Sequence, residues 1–103
     1  MFYTYMLRCE DDSIYTGITT DVDRRMKEHF TQGSKCAKYT RNHMPLRLEM
    51  VWQSDDRAAA SRLEFHLKRL SHRQKEQVIE SRSILVLAGK ISDSDYRLIA
   101  PTY

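Results

Sequence analysis

Five residues in the first two thirds of the chain have types that can bind an anion, move a proton or hold a cation. Tyr5 and Tyr15 stand ten residues apart, Arg25 follows ten later, and His29 lies one helical turn beyond it. Glu64 is a lone carboxylate set between apolar positions. A guanidinium is permanently charged and grips phosphate through two parallel hydrogen bonds, while phenol and imidazole groups carry protons. Taken singly each type is ordinary, because strand tyrosines mostly fill cores and helix arginines mostly face water. The set acquires meaning only if the fold gathers its members.

The elements that must do the gathering can be read from local patterns. Residues 2–8 are aromatic or bulky with no glycine and predict a strand with Tyr3, Tyr5 and Leu7 on one face and Thr4, Met6 and Arg8 on the other. A polar turn at 10–13 and a second strand at 14–18 complete a hairpin carrying both tyrosines. Thr20 and Asp21 are N-cap residues for a helix over about 21–31, with Val22, Met26 and His29 or Phe30 inward. Residues 33–45 lack periodicity and predict a loop. Leu46, Leu48, Met50 and Trp52 alternate with Arg47, Glu49 and Val51, which predicts a third strand with one buried face. Asp55 and Asp56 cap a second helix with an apolar stripe of Ala59, Leu63, His66 or Leu67, and Leu70. Ser71 and Gln74 form a capping box for a third helix, with Val78 and Ile79 inward. Periodicity does not decide between helix end and strand at 84–88, and the tail beyond Gly89 carries weak signals. The expected fold is α+β: a small, mostly antiparallel three-stranded sheet covered by helices, in the order β-β-α-β-α-α.

Composition narrows the class. A chain of 103 residues with 41% hydrophobic and 30% charged residues, three glycines and two prolines is an ordinary globule of one domain. No apolar run approaches a membrane span and no leader pattern is present, so a cytoplasmic protein without membrane contact is expected. Cys9 and Cys36 are too few for a disulfide framework or a four-cysteine zinc site and read as reduced thiols. The net charge of +3 is modest, but residues 24–47 hold seven basic residues against Glu28 alone, whereas residues 1–23 are net −4. That basic segment, with His29, His43 and Tyr39, suits a phosphate-facing surface with one aromatic ring for stacking on a base.

The order Tyr5, Tyr15-Thr16-Gly17, Arg25 with His29, then Glu64 resembles the GIY-YIG nuclease domain over about residues 1–80. The runs Leu7-Arg8-Cys9, Tyr15 to Val22 and Lys38-Tyr39-Thr40-Arg41 look like the small single-domain bacterial branch related to Slx-type structure-specific endonucleases. The resemblance implies a nuclease domain over 1–82, with 83–103 a C-terminal extension packed on it. It places Tyr5 in the first motif, with Tyr3 and Thr4 for the usual glycine and isoleucine. Tyr15 and Gly17 fall in the second motif, with Thr16 for isoleucine. Arg25 and His29 match the helix pair, and Glu64 matches the metal-binding glutamate. Two departures stand out: Ile18 sits where some members have lysine, and no counterpart is found for an asparagine after the last core helix.

The resemblance implies hydrolysis of a phosphodiester with one cation, Mg²⁺ or Mn²⁺, held by Glu64 and keeping most of its waters. Arg25 would neutralise the developing charge. Tyr5 would take the proton of the attacking water, its pKa lowered by the arginine and the cation, with Tyr15 and His29 open as alternative bases. Arg24, Lys35, Lys38 and Arg41 would bind phosphates and Tyr39 an unpaired base. The expected activity is therefore cleavage of single-stranded, flap or branched DNA with little sequence preference, in DNA repair or processing. The alternative is a catalytically weak or inactive nucleic-acid-binding module of the same fold.

Overall fold

Bulky and aromatic residues from Phe2 onward favour extended chain. The computed structural model, which describes residues 1–31 and 38–99 and only the backbone of Thr40 and Arg41, forms β1 over Phe2–Cys9. At the turn Asp12 takes a φ of 71° and its N–H reaches the Cys9 carbonyl at 2.9 Å. Strand β2, Ile14–Thr19, then runs back with Gly17 opposite Tyr5 and Tyr15 opposite Leu7.

Capping chemistry starts the helices where it was expected. Helix α1 spans Val22–Thr31, with the Asp21 carboxylate accepting from the Arg24 N–H at 3.1 Å. A short helix α2, Lys38–Asn42, occupies part of the segment expected to be loop, because five residues are too few to display a helical period. Strand β3 covers Pro45–Ser54. Helix α3, Arg57–Lys68, begins at Asp56, whose side chain accepts from the Ala59 N–H at 2.8 Å. Helix α4, His72–Ser81, carries the Ser71–Gln74 capping box. The apolar stretch after it is neither helix end nor strand but a 3₁₀ turn over Leu85–Leu87. A three-residue strand β4, Arg97–Ile99, closes the element order.

The α+β class therefore stands with one correction: among the described residues the sheet has four strands, in the order β2-β1-β3-β4, all antiparallel. A second correction concerns β3. Met6 pairs with Met50 and Leu7 with Leu48, so Glu49 is an extra residue, and a second irregularity at Leu46 follows before Pro45 pairs with Cys9. Each bulge reverses the alternation. Met50 and Trp52 therefore join one core cluster while Leu48 and Val51 join the other, and Leu46 is left 47% exposed.

Both faces of the sheet are covered. On one, Met6, Ile14, Met50 and Trp52 pack against Leu63 and Leu67 of α3 and Val78 of α4. Ile84, Leu87 and Tyr96 from beyond α4 join this cluster, and the Tyr96 hydroxyl donates to the Ala59 carbonyl at 2.7 Å. His66 stays outside the stripe, which consists of Ala59, Ala60, Leu63 and Leu67. On the other face Met26 of α1 packs with Tyr5, Leu7, Leu48 and Val51. Full burial of each large side chain contributes about 1.5–3 kcal/mol.

Arg8 ties the hairpin to α4. It is buried, forms two hydrogen bonds with the Glu76 carboxylate, and reaches Asp12 at 2.9 Å and Glu49 at 3.0 Å. These carboxylates compensate the desolvated guanidinium, and the same contact pulls the Glu76 pKa down. Cys9 is a buried free thiol; Cys36 lies outside the described residues. No described helix is long and apolar enough to cross a membrane.

Candidate active site

The site forms at the edge strand β2, where a missing side chain makes room. A Cβ on Gly17 would stand 2.6 Å from the Tyr5 hydroxyl oxygen and 2.8 Å from its ring carbon Cζ. Only glycine therefore lets the Tyr5 ring end lie directly over the neighbouring strand. From there the Tyr5 hydroxyl meets Nε2 of His29 at 2.7 Å. Tyr15, one β2 pleat away, places its ring 6.1 Å from Tyr5 and 5.4 Å from His29, edge to face with the imidazole. Inward-facing Met26 and His29 fix the roll of α1, with Phe30 turned out and 39% exposed.

Arg25 completes this group. Its guanidinium is held by Glu28 at 2.9 Å and lies near enough to Tyr5 for each to influence the other's titration. Burial opposes its charge, yet the Glu28 and Tyr5 contacts outweigh that and the pKa rises. His29 goes the other way: burial, then the Arg25 charge, lower its pKa to about 4, so its ring is neutral at physiological pH. For Tyr5 the expected direction is reversed. Burial, reinforced by Tyr15, raises its pKa well above the ordinary phenol value, outweighing the hydrogen bond and charge of Arg25. Tyr5 is only 1% exposed, so burial rather than Arg25 sets the direction of its shift.

Glu64 reaches the site from α3. Its carboxylate raises the Tyr5 pKa through space and pairs with Lys68 Nζ at 3.3 Å, the glutamate side chain being 24% exposed. Lys68 also stands over the Tyr15 ring at 5.9 Å. Lys68 is a site residue that escapes sequence reasoning, although its spacing of four from Glu64 on a helix is the available signal.

The structure brings Tyr5, Tyr15, Arg25 and His29 together with Glu64 at their rim. The surrounding basic residues are more dispersed. Arg24 is exposed beside Arg25, and Lys38 is exposed at the start of α2. Lys35 and the Arg41 side chain lie outside the described residues. Tyr39 is not an open platform: its ring stacks on His43 at 4.1 Å and on Tyr15 at 5.6 Å. His43 in turn bonds Asp11 at 2.5 Å, and the Met44 carbonyl accepts from the Glu10 N–H at 2.8 Å. These contacts fasten α2 to the hairpin turn. The Asp11 pKa falls to about 2, through its hydrogen bonds with Ser13 and then with His43.

Two other features lie outside this cluster. A polar cleft of about 350 Å³ opens beside Arg25, between β2, α1 and the start of α3. At the hairpin turn Asp12, His72 and Glu76 bring ligand atoms within 4.8 Å of one another, but Arg8 already bonds both carboxylates of this group directly. Among the described residues the Glu28 carboxylate is bonded to Arg25, which leaves the Glu64 carboxylate, partly open to solvent, as the donor that could serve a cation beside Tyr5. That donor fits a hard cation that retains most of its water.

A model of the GIY-YIG catalytic domain matches residues 1–77. The chain is 49% identical over 77 residues to the UPF0213 protein BH0048 of Halalkalibacterium halodurans, covering 75% of this chain and 80% of that protein. It is 43% identical over 81 residues to the UPF0213 protein YhbQ of Salmonella typhimurium, covering 79% of each. The solution NMR structure of the UPF0213 protein BH0048 from Bacillus halodurans superposes with a TM-score of 0.52 at 44% identity, covering 89% of this chain and 98% of that one.

Proposed function

The chain belongs to the GIY-YIG nuclease family, and from that premise we propose that it is a divalent-metal-dependent endonuclease that hydrolyses phosphodiester bonds in single-stranded, flap or branched DNA with little sequence preference. Such substrates arise in DNA repair and processing. The observation that carries the proposal is the convergence of Arg25, His29 and the two tyrosines on one edge of the sheet, with the Tyr5 hydroxyl 2.7 Å from His29 and Glu64 alongside.

Each group has a distinct task. Arg25, fixed by Glu28, turns its guanidinium to the non-bridging oxygens of the scissile phosphate and neutralises charge as the transition state forms. Tyr15 is half-buried where Tyr5 is sealed, so Tyr15 is the hydroxyl that meets the attacking water; once it has released its own proton to solvent, its oxygen takes one from that water. Tyr5 keeps its own proton and, bonded to neutral His29, holds the floor on which Tyr15 and Arg25 are set. Glu64 would hold Mg²⁺ or Mn²⁺, and the chemistry such a cation supplies is stabilisation of charge on the phosphate and on the leaving 3′ oxygen. Arg24 and Lys38, with Lys35 and Arg41, are the phosphate contacts along the strand. Stacking on an unpaired base falls to the aromatic group of Tyr39 and His43 rather than to Tyr39 alone. A small domain with these few contacts offers no major-groove reader, which supports low sequence preference.

The test uses labelled single-stranded, flap and linear duplex DNA with Mg²⁺, and the wild type beside Glu64→Ala and Arg25→Ala. Single strands and flaps are cut in a salt-sensitive reaction; Arg25→Ala slows it by about 10²- to 10³-fold. Glu64→Ala abolishes cleavage with DNA affinity little changed. Binding without cleavage by the wild type would establish the inactive module instead, and a folded Glu64→Ala protein cutting at the wild-type rate would remove the glutamate from the site.

A further inference from the structure

The cleft beside Arg25 has a composition that the five-residue cluster does not account for. Arg24 and Arg25 line it from α1 and Arg57 from the first position of α3, together with Glu28, and Phe2 and Ile18 supply an apolar wall. Three guanidinium groups face one carboxylate there, and that carboxylate already bonds Arg25 at 2.9 Å. Among the described residues no ion pair engages Arg24 or Arg57. Cations brought to one cleft from separate elements repel each other unless an anion lies between them. The volume of about 350 Å³ is at the small end of ligand pockets, ~300–1,000 Å³, which suits one nucleotide and not a duplex. Arg25 belongs to both the cleft and the cluster, so a group filling the cleft is continuous with a phosphate held at the cluster.

We propose that this cleft is a nucleotide subsite that takes the unpaired nucleotide flanking the scissile phosphate, its phosphate held by Arg24 and Arg57 and its base laid against Phe2 and Ile18. The proposal rests on the nuclease assignment above and specifies how that site recognises its substrate. It provides a physical reason for preferring unpaired strands: a base inside a duplex has no open face to offer Phe2. It also directs the strand along β2, with the basic start of α2 on one side of Tyr15 and the Arg24–Arg57 cleft beside Arg25.

Binding measured in EDTA separates recognition from cleavage. Fluorescence anisotropy with a labelled single-stranded oligonucleotide over a range of salt compares the wild-type chain with Arg24→Ala, Arg57→Ala, Phe2→Ala and, as a charge control, Arg73→Ala on α4. Arg24→Ala and Arg57→Ala should each weaken binding about tenfold and reduce the slope of log affinity against log salt by ~0.7. Arg73→Ala should change neither, and Arg57→Lys should recover part of the loss. Phe2→Ala should weaken single-strand binding about fivefold while leaving duplex binding as it is. Arg24→Ala and Arg57→Ala proteins that bind like Arg73→Ala, in a wild type that binds and cuts DNA, would overturn the subsite alone. A wild type that neither binds nor cuts DNA would overturn the nuclease assignment and the subsite with it.

Discussion

Acidification from pH 7 to pH 5 should lower the stability of the folded chain by about 2 kcal/mol through His29 alone. The ring is fully buried, and burial with the nearby Arg25 charge holds its pKa at about 4 against the usual 6.5. Between these values the unfolded chain takes up a proton that the folded chain refuses. Stability from this group is therefore complete above pH 6.5 and declines as the pH falls toward 4, where the loss reaches about 3 kcal/mol. That is a large share of the ~5–15 kcal/mol that holds a typical domain together. Trp52, the single tryptophan, sits in the core of the opposite sheet face, so its fluorescence follows global unfolding. Urea titrations of the wild type and His29→Gln at pH 7, 6 and 5 isolate the contribution, because the two proteins share every other ionisable group. Carboxylates with depressed pKa, Asp11 at about 2 and Glu76 below its usual 4.5, lose their contribution only at lower pH. The stability difference between wild type and variant should shrink by about 2 kcal/mol from pH 7 to 5. A difference that stays constant over that range refutes the neutral, desolvated state of His29.

Three further outcomes follow from single contacts. The Thr16 hydroxyl is buried with no hydrogen-bond partner among the described residues, so Thr16→Val should stabilise the fold by about 1 kcal/mol and raise Tm by roughly 4–8 °C in thermal melts followed by circular dichroism; an unchanged Tm would mean the hydroxyl is satisfied. Gly17→Ala drives a methyl group into the Tyr5 ring end and should cost about 10²-fold in cleavage rate in a protein whose far-ultraviolet spectrum is unaltered. Wild-type turnover would show that the position of Tyr5 is immaterial. Lys68→Ala removes the cation now paired with Glu64 and should lower the Mg²⁺ concentration for half-maximal cleavage by about two- to fivefold, whereas a rise would place Lys68 on the phosphate.

What was legible in the sequence was what depends on near neighbours. Asp21, Asp56 and the Ser71–Gln74 pair mark helix starts because a cap is satisfied within three residues. Strict alternation set Tyr5 and Leu7 on one face of β1 and Met6 on the other. The features that escaped are created by distant pairing. The bulges at Leu46 and Glu49 exist because β3 must match β1, and no local signal at Leu48 shows that it changes faces. Strand β4 is three residues that, among the described residues, pair with β3 alone. At the site, the residue types pointed to Arg25, His29 and the tyrosines, but the rise in the Tyr5 pKa depends on how deeply its ring is enclosed. The Tyr39–His43 stack, Lys68 above Tyr15 and Arg57 in the cleft likewise depend on tertiary approach.

Strand β4 carries none of the residues in the site, yet it shields the chain from its own copies. It covers β3 along Val51, Trp52 and Gln53, a stretch whose bare backbone donors and acceptors, flanked by bulky β-forming side chains, would template another strand. As the new border β4 is a poor template itself: it is three residues long and carries Arg97, which bonds Gln53 at 2.9 Å. A chain shortened before Arg97 would retain every proposed catalytic group and leave that stretch of β3 bare, and edge-to-edge aggregation is the expected consequence.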